Sequence, residues 1–268
     1  MIFFHPTKKS LGQNFLIDQN IIDKIVNIEK ITENKVILEI GSGSGNLTKK
    51  IANFKPKKLI AVEKDKKLTL FLKKTFNDYK NINIINDDIL NIIENANFGK
   101  NIIVYGNLPY NISTQILASL VMLKRWPPWY KILILMFQKE VADRILAKSN
   151  TKEFGRLSIL CNWRLEIKDH FSVSKNCFFP KPKINSTVLS FKPKKNNRFI
   201  IKNPNNLEMI TRMLFSNRRK MINKNFSKLF GNDNSVAKDL NLNLNKRPGE
   251  LSNEMFYKIA IKYEQLFD

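Results

Sequence analysis

Three of the nine glycines in this chain fall within five residues, in Glu39-Ile-Gly41-Ser-Gly43-Ser-Gly45. Such a loop turns tightly and lets a ligand approach the backbone. A helix opening after it offers free N–H groups to whatever docks. Roughly 20 residues on, Glu63 closes an apolar run, where a carboxylate can accept both hydroxyls of a ribose. The spacing is not the dinucleotide fingerprint, because Asn46 stands where a third glycine is needed. Asp87 and Asp88 close the next run, and Gly106-Asn107-Leu108-Pro109-Tyr110 closes the one after. Taken singly, these are a tight turn, a solvated acid beside Lys64, a helix cap and a proline turn with a packed tyrosine. Taken together, at the ends of successive apolar runs, they outline a nucleoside-like ligand site.

The elements that must position these residues are legible from periodicity. Val36 to Ile40, Lys58 to Val62, Ile82 to Ile85, Ile102 to Tyr105 and Ile132 to Met136 read as buried strands, β-branched and too short for helices. Between them Leu47 to Ala52, Leu68 to Phe76 and Thr114 to Leu123 have helical spacing. The alternation predicts an α/β fold with an open, mostly parallel, Rossmann-like sheet. A helix is expected over Lys139 to Ala147, then a mixed region, then a strand from Ile184 to Phe191. The polar break Pro193 to Asn197 reads as a linker. Beyond it Leu207 to Phe215, Arg219 to Leu229, Ser235 to Leu240 and Ser252 to Gln265 are helical. The expected division is a ligand-binding domain over 1–192 and a small helical carboxy-terminal domain over 193–268.

Composition narrows the function class. With 268 residues, 43% hydrophobic and 26% charged, the chain is an ordinary globular sequence, which excludes a disordered or collagen-like protein. No apolar run approaches the ~20 residues of a membrane span. The apolar stretch at Met1 to Pro6 is too short for a signal peptide. Cys161 and Cys177 cannot form a disulfide framework and have no metal-ligand spacing with His5 or His170, so no metal is expected and a reduced, cytoplasmic compartment is the simplest reading. Lys plus Arg outnumber Asp plus Glu 46 to 23, a net +23. A coding bias towards Lys should favour Glu about as much, so the excess points to a polyanionic partner. A basic amphipathic helix with an aromatic face, which a membrane surface would need, is not evident.

The glycine loop resembles the E-x-G-x-G-x-G loop of class I methyltransferases, which bind S-adenosylmethionine (SAM). On that resemblance an acid at Asp87 or Asp88 would hold the adenine amino group of SAM while the other caps a helix; Asp88 is assigned to the ligand. Asn107-Leu-Pro-Tyr110 is similar to the motif of amino-group methyltransferases. An exocyclic amine on adenine is a poor nucleophile, because its lone pair is delocalised into the ring. Acceptors at the Asn107 side-chain oxygen and the Leu108 carbonyl would draw it towards tetrahedral geometry; proline fixes that turn. Tyr110 would stack on a base taken out of its helix. Phe178-Phe179-Pro-Lys181-Pro-Lys183 would supply a second aromatic, assigned to Phe178, and cations for phosphate.

Further segments make the resemblance specific to the ribosomal RNA adenine dimethylases over most of the chain: Lys9-Ser-Leu-Gly-Gln-Asn-Phe-Leu-Ile-Asp18, Asn107 to Thr114, Gln138 to Arg144, Phe154 to Ser158, Phe178 to Lys183 and Phe215 to Lys220. Within the family, N-L-P-Y and Q-K-E-V-A-x-R look like the housekeeping KsgA type rather than the Erm resistance type. The resemblance implies dimethylation at N6 of two adjacent adenosines in the terminal stem-loop of small-subunit rRNA, within a pre-30S particle. Asn14, Leu16, Gly41, Glu63, Asp88 and Asn107 would contact SAM; Asn107, Leu108, Tyr110 and Phe178 would hold the base. One departure is Ser42, where the family usually has proline. Arg218, Arg219 and Lys220, expected at the start of a helix, are candidates for phosphate contacts with Lys181 and Lys183, the alternative being a solvated basic turn. A monomer is expected. Rival readings are a DNA adenine or protein glutamine acceptor, and an assembly factor that binds the ribosomal particle without catalysis.

Overall fold

A computed structural model of the chain describes residues 12–94, 98–233 and 235–267. Residues 9–11 of the opening motif, and the amino-terminal stretch weighed as a signal peptide, lie outside the described residues. In chain order the elements are β1 (Phe15–Leu16), α1 (Gln19–Val26), β2 (Val36–Ile40), α2 (Asn46–Ala52), β3 (Lys58–Glu63), α3 (Lys66–Thr75), β4 (Ile82–Asn86), α4 (Ile89–Ile92), β5 (Ile102–Asn107), α5 (Ser113–Val121), β6 (Tyr130–Gln138), α6 (Lys139–Leu146), α7 (Arg156–Arg164), β7 (Leu165–Val173), β8 (Phe178–Phe179) and β9 (Ser186–Pro193). They are followed by α8 (Pro204–Leu214), α9 (Asn223–Leu229), α10 (Ser235–Asp239) and α11 (Asn253–Phe267).

Seven strands form one sheet in the order β4-β3-β2-β5-β6-β9-β7. The first five are parallel, and β9 runs antiparallel to β6. Strands buried on both faces carry near-continuous apolar runs, as Val36-Ile-Leu-Glu-Ile40 does. Ile37, Ile103, Tyr105, Ile132, Ile134 and Met136 pack on one face with residues of α1 and α2. The alternate residues Leu38, Ile40, Val104, Leu133 and Leu135 are also buried. The Tyr105 hydroxyl donates to the Val26 carbonyl at 3.0 Å and anchors the end of α1.

Register brings the functional loops to one edge. Ile40 lies opposite both Val62 and Gly106, and Glu63 lies opposite Asn86. In a parallel sheet the segments after β2, β3, β4 and β5 therefore share the carboxyl edge, where open α/β sheets bind ligands. Helices open there on side-chain caps: Asp18 accepts from the Ile21 N–H, Asp65 from Lys67 and Asp88 from Leu90.

The chain gathers into two compact units, residues 1–120, 125–142 and 167–193 in one and 121–124, 143–166 and 194–268 in the other. The second thus takes in residues 143–166 as well as the chain beyond the linker, whereas the expected division kept them in the first domain. Their apolar side chains explain it: Phe154, Ile159, Leu160 and Trp163 belong to one buried cluster with Leu207, Ile210, Phe226 and Phe256. Arg164, 5% exposed, donates to the Val121 and Leu123 carbonyls at 3.1 and 2.9 Å, which binds the short 121–124 segment into the same unit.

Candidate active site

A cavity opens at the carboxyl edge of the sheet, lined by residues from Gly12 to Leu16, the glycine loop, Val62 to Lys64, Asp87 to Ile89, and Asn107 to Ile112. Asn14, Leu16, Gly41, Glu63, Asp88, Asn107, Leu108 and Tyr110 all line it. Among the residues assigned to cofactor and base, only Phe178 does not.

The glycine loop is closely packed against its surroundings. Gly43 has φ +55°, and a Cβ there would stand 2.9 Å from the Phe15 ring, so conformation and space both demand glycine. Gly106 has no unusual φ, but a Cβ would meet Leu108 Cδ2 at 2.7 Å. Glycine there leaves room for the Leu108 and Leu135 side chains.

Glu63 is 8% exposed and each of its carboxylate oxygens accepts a main-chain N–H, from Gly43 at 2.9 Å and from Asp65 at 2.8 Å. Burial raises its pKa against the opposing pull of those two N–H groups. Glu39 lies deeper, 1% exposed, and accepts the Thr48 hydroxyl at 2.6 Å. Burial pushes its carboxyl up to about 8; the Thr48 hydroxyl opposes this and the Glu63 charge adds to it. At neutral pH Glu39 is therefore largely a neutral acid under the loop.

Asp88, assigned to the ligand, also takes the capping role that the sequence reading left to its neighbour. One oxygen caps α4 at the Leu90 N–H, and the other pairs with the Lys64 ammonium at 2.8 Å. Burial alone would raise its pKa, but Lys64 and the Leu90 N–H outweigh burial and hold it below the ordinary value. Asp87 folds onto its own turn, accepting from the Asp88 N–H and the Asn91 side chain.

The Asn107 side chain donates through Nδ2 to the Asn14 carbonyl at 3.0 Å. Tyr110 is half-buried, with its hydroxyl 2.7 Å from Ser186 Oγ. Burial raises its pKa above the ordinary 10, with the Ser186 hydrogen bond opposing, so the phenol stays neutral near pH 7.

The two phenylalanines that could supply the second aromatic differ in burial. Phe178 is 3% exposed and packs in the core cluster with Leu16, whereas Phe179 is 40% exposed. The cause is the pairing of β1 with β8, which sets Phe15 opposite Phe179 and Leu16 opposite Phe178. Directly opposed residues of an antiparallel pair project to the same face. Phe178 thus shares a face with Leu16 and Phe179 with Phe15; both of these partners line the cavity, and neither phenylalanine does.

The basic candidates also separate. Lys181 and Lys183 are exposed in the loop after β8. Arg218, Arg219 and Lys220 lie in a turn before α9 rather than at its start, because the Lys220 N–H closes onto the Asn217 carbonyl and α9 begins only at Asn223. Arg218 donates to the carbonyls of Thr151 and Lys152. Arg219 and Lys220 are exposed.

Sequence reasoning missed Phe15, Asn46 and Lys64 among the lining residues. Asn46 was visible as the departure from the dinucleotide spacing; its Nδ2 donates to the Leu16 carbonyl at 2.8 Å and ties the helix start to β1. Among the described residues, no cluster of three or more metal-ligating side chains forms and no helix is long and apolar enough to cross a membrane.

Comparison with known proteins follows the same outline. The family model described as ribosomal RNA adenine dimethylase matches residues 4–265. A ribosomal RNA small subunit methyltransferase A of Pelagibacter ubique is 49% identical over 98% of this chain and 99% of its own length. A protein of that name from a Wolbachia of Drosophila simulans is 37% identical over 99% of this chain and 96% of its own. Among solved structures, a dimethyladenosine transferase from Plasmodium falciparum superposes with a TM-score of 0.76 at 26% identity, covering 94% of this chain and 98% of that one. The 23S rRNA methyltransferase ErmE shares the fold, with a TM-score of 0.67 at 19% identity over 94% of this chain and 100% of that one.

Proposed function

This chain belongs to the ribosomal RNA adenine dimethylase family, and on that premise we propose that it dimethylates N6 of two adjacent adenosines in the 3′-terminal stem-loop of small-subunit rRNA, acting on an assembling subunit in the cytoplasm as a monomer. It is an SAM-dependent rRNA adenine dimethyltransferase of the small subunit.

The cavity suits SAM. Gly41 has φ +74°, which favours glycine, and a Cβ there would fill the space beside the Asn107 carbonyl at 3.5 Å. Glu63 retains lone pairs for the ribose hydroxyls beyond the two N–H groups it already accepts. Asn14, Leu16 and Asp88 complete the proposed cofactor contacts. SAM supplies an electrophilic methyl group there.

The observation that carries the reading is the placement of Asn107 at the end of β5, lining the cavity with its amide nitrogen already committed to Asn14. Its Oδ1 and the Leu108 carbonyl are two acceptors for the two N–H bonds of the target amine. Holding both bends the nitrogen out of conjugation and frees its lone pair. The bond from nitrogen to methyl then forms as the carbon–sulfur bond breaks, and the proton of the resulting ammonium leaves to water. A monomethylated amine keeps one N–H, which either acceptor can hold for the second transfer. Tyr110, neutral near pH 7, stacks on the base rather than accepting its proton. Phe178, opposite cavity-lining Leu16, supplies the second aromatic, and the exposed ring of Phe179 beside it is the alternative. Lys181, Lys183, Arg219 and Lys220 meet rRNA phosphates. Rate enhancement comes from positioning and fixed dipoles.

The test uses purified protein, labelled SAM and small subunits lacking the modification. Label in N6,N6-dimethyladenosine at two neighbouring positions near the 3′ end is expected. Label on large-subunit rRNA, or none on any RNA, would overturn the reading.

A further inference from the structure

The phenol of Tyr110 and the hydroxyl of Ser186 stand 2.7 Å apart, and Ser186 is fully buried. We propose that Ser186 is a positioning residue for methyl transfer: it pins the Tyr110 ring at the angle on which the target base stacks. The inference rests on the reading of Tyr110 as that stacking surface.

Ser186 is well placed to act as a fixed peg. It opens β9 directly opposite Gln138, the last residue of β6. Its carbonyl accepts the Ser172 hydroxyl at 3.3 Å. On its amino side, the Asn185 carbonyl accepts the Lys139 N–H and the Asn185 side chain accepts the Lys175 N–H, both at 3.0 Å. Side chain and main chain around Ser186 are thus held from three directions.

Tyr110 needs such a peg. It stands on a turn beyond the end of β5, where Ser113 Oγ donates to its carbonyl at 3.2 Å and fixes the backbone alone. The ring turns about two side-chain torsions, and a half-buried phenol left unpaired would seek another partner. Bonding to Ser186 removes that freedom. Ser186 also follows directly on the loop that carries Phe179, Lys181 and Lys183. One residue therefore links the Asn107 turn to the segment that carries Phe178 and Phe179. A base has to fit between them within a fraction of an ångström for its amine to reach Asn107.

The test is a double-mutant cycle of Ser186→Ala and Tyr110→Phe, read by single-turnover methylation of unmodified small subunits at saturating SAM. Each single variant should slow the step about threefold to tenfold, the size of one neutral hydrogen bond. The double variant should be no slower than the slower single, because both remove the same bond. Affinities for SAM and for the subunit should stay at wild-type values, a split that a general loss of structure would not give. Additive losses, or Ser186→Ala at the wild-type rate, would overturn the role of Ser186. Should Ser186→Ala not fold, Tyr110→Phe removes that bond and keeps the ring, and its undiminished rate would overturn the role alone. No transfer by the wild-type protein would overturn the parent reading and this inference with it.

Discussion

Asn107 and Asn14, 93 positions apart in the chain, meet through one hydrogen bond from the Asn107 amide to the Asn14 carbonyl. A carbonyl can only accept, so the nitrogen of Asn107 must be the atom on that side and its Oδ1 must face away. The orientation of the group that holds the target amine is thereby set by the main chain of the amino-terminal segment. Asn107→Ala should slow methyl transfer by about 10²–10³-fold, the usual effect of losing one preorganised polar group. Asn107→Asp should lose as much, because a carboxylate oxygen would face the Asn14 carbonyl. Single-turnover rates, with folding checked by circular dichroism, decide it.

The two phenylalanines of β8 should respond in opposite ways. Phe178→Ala empties a core position and should destabilise the protein by about 3–5 kcal/mol. Phe179→Ala should leave the urea midpoint almost unchanged and slow methylation of the subunit. Equal stability losses in the two variants would contradict the difference in their burial.

Glu39 gives stability a definite slope with pH. Its folded pKa, about 8, lies above the ordinary 4.5. Between those values the folded protein keeps a proton that the unfolded chain has released. Stability therefore falls as pH rises through that window, by at most about 1.4 kcal/mol per unit from this group, and levels off above it. Glu63, also raised, adds the same sign. Glu39→Gln keeps an acceptor for Thr48 and should flatten the decline in urea midpoint between pH 5 and 8.

Arg218 should separate from its neighbours. Because it holds the carbonyls of Thr151 and Lys152, Arg218→Ala should lower the melting midpoint. Arg219→Ala with Lys220→Ala should leave that midpoint in place. That pair should flatten the salt dependence of subunit binding by about 0.7–0.9 for each phosphate no longer neutralised. An unchanged slope would assign the pair to a solvated turn.

The parallel strands were legible because each is a short β-branched run buried on both faces, and the observed β2 covers the expected Val36 to Ile40. The loops at their carboxyl ends followed from that order. β7, read as part of a mixed region, was hidden: Leu165-Glu-Ile-Lys-Asp-His-Phe-Ser-Val173 sits at the sheet margin with an irregular burial pattern and exposed Lys168 and Asp169 side by side. β1 and β8 have two residues each, too few for any periodicity. Their pairing sets Phe178, the buried phenylalanine, opposite Leu16 and exposed Phe179 opposite Phe15. Arg218 was misplaced for a similar reason, since basic residues before an amphipathic run give no sign that a turn intervenes. Tertiary pairing, invisible in local pattern, accounts for each of these.

The β1–β8 pair also bears on when the site comes into being. It joins the beginning of the first unit's sequence to a segment near its end, with nearly the whole sheet threaded between. Contacts between such distant residues form late, since the entropy of closing a long loop is met before the contact returns anything. During synthesis the glycine loop and the first parallel strands leave the ribosome well before Phe178 and Phe179 exist. A nascent chain can therefore shape a pocket for the methyl donor while its wall for the RNA base is still missing. The enzyme becomes able to grip a nucleotide only once its first unit is fully translated.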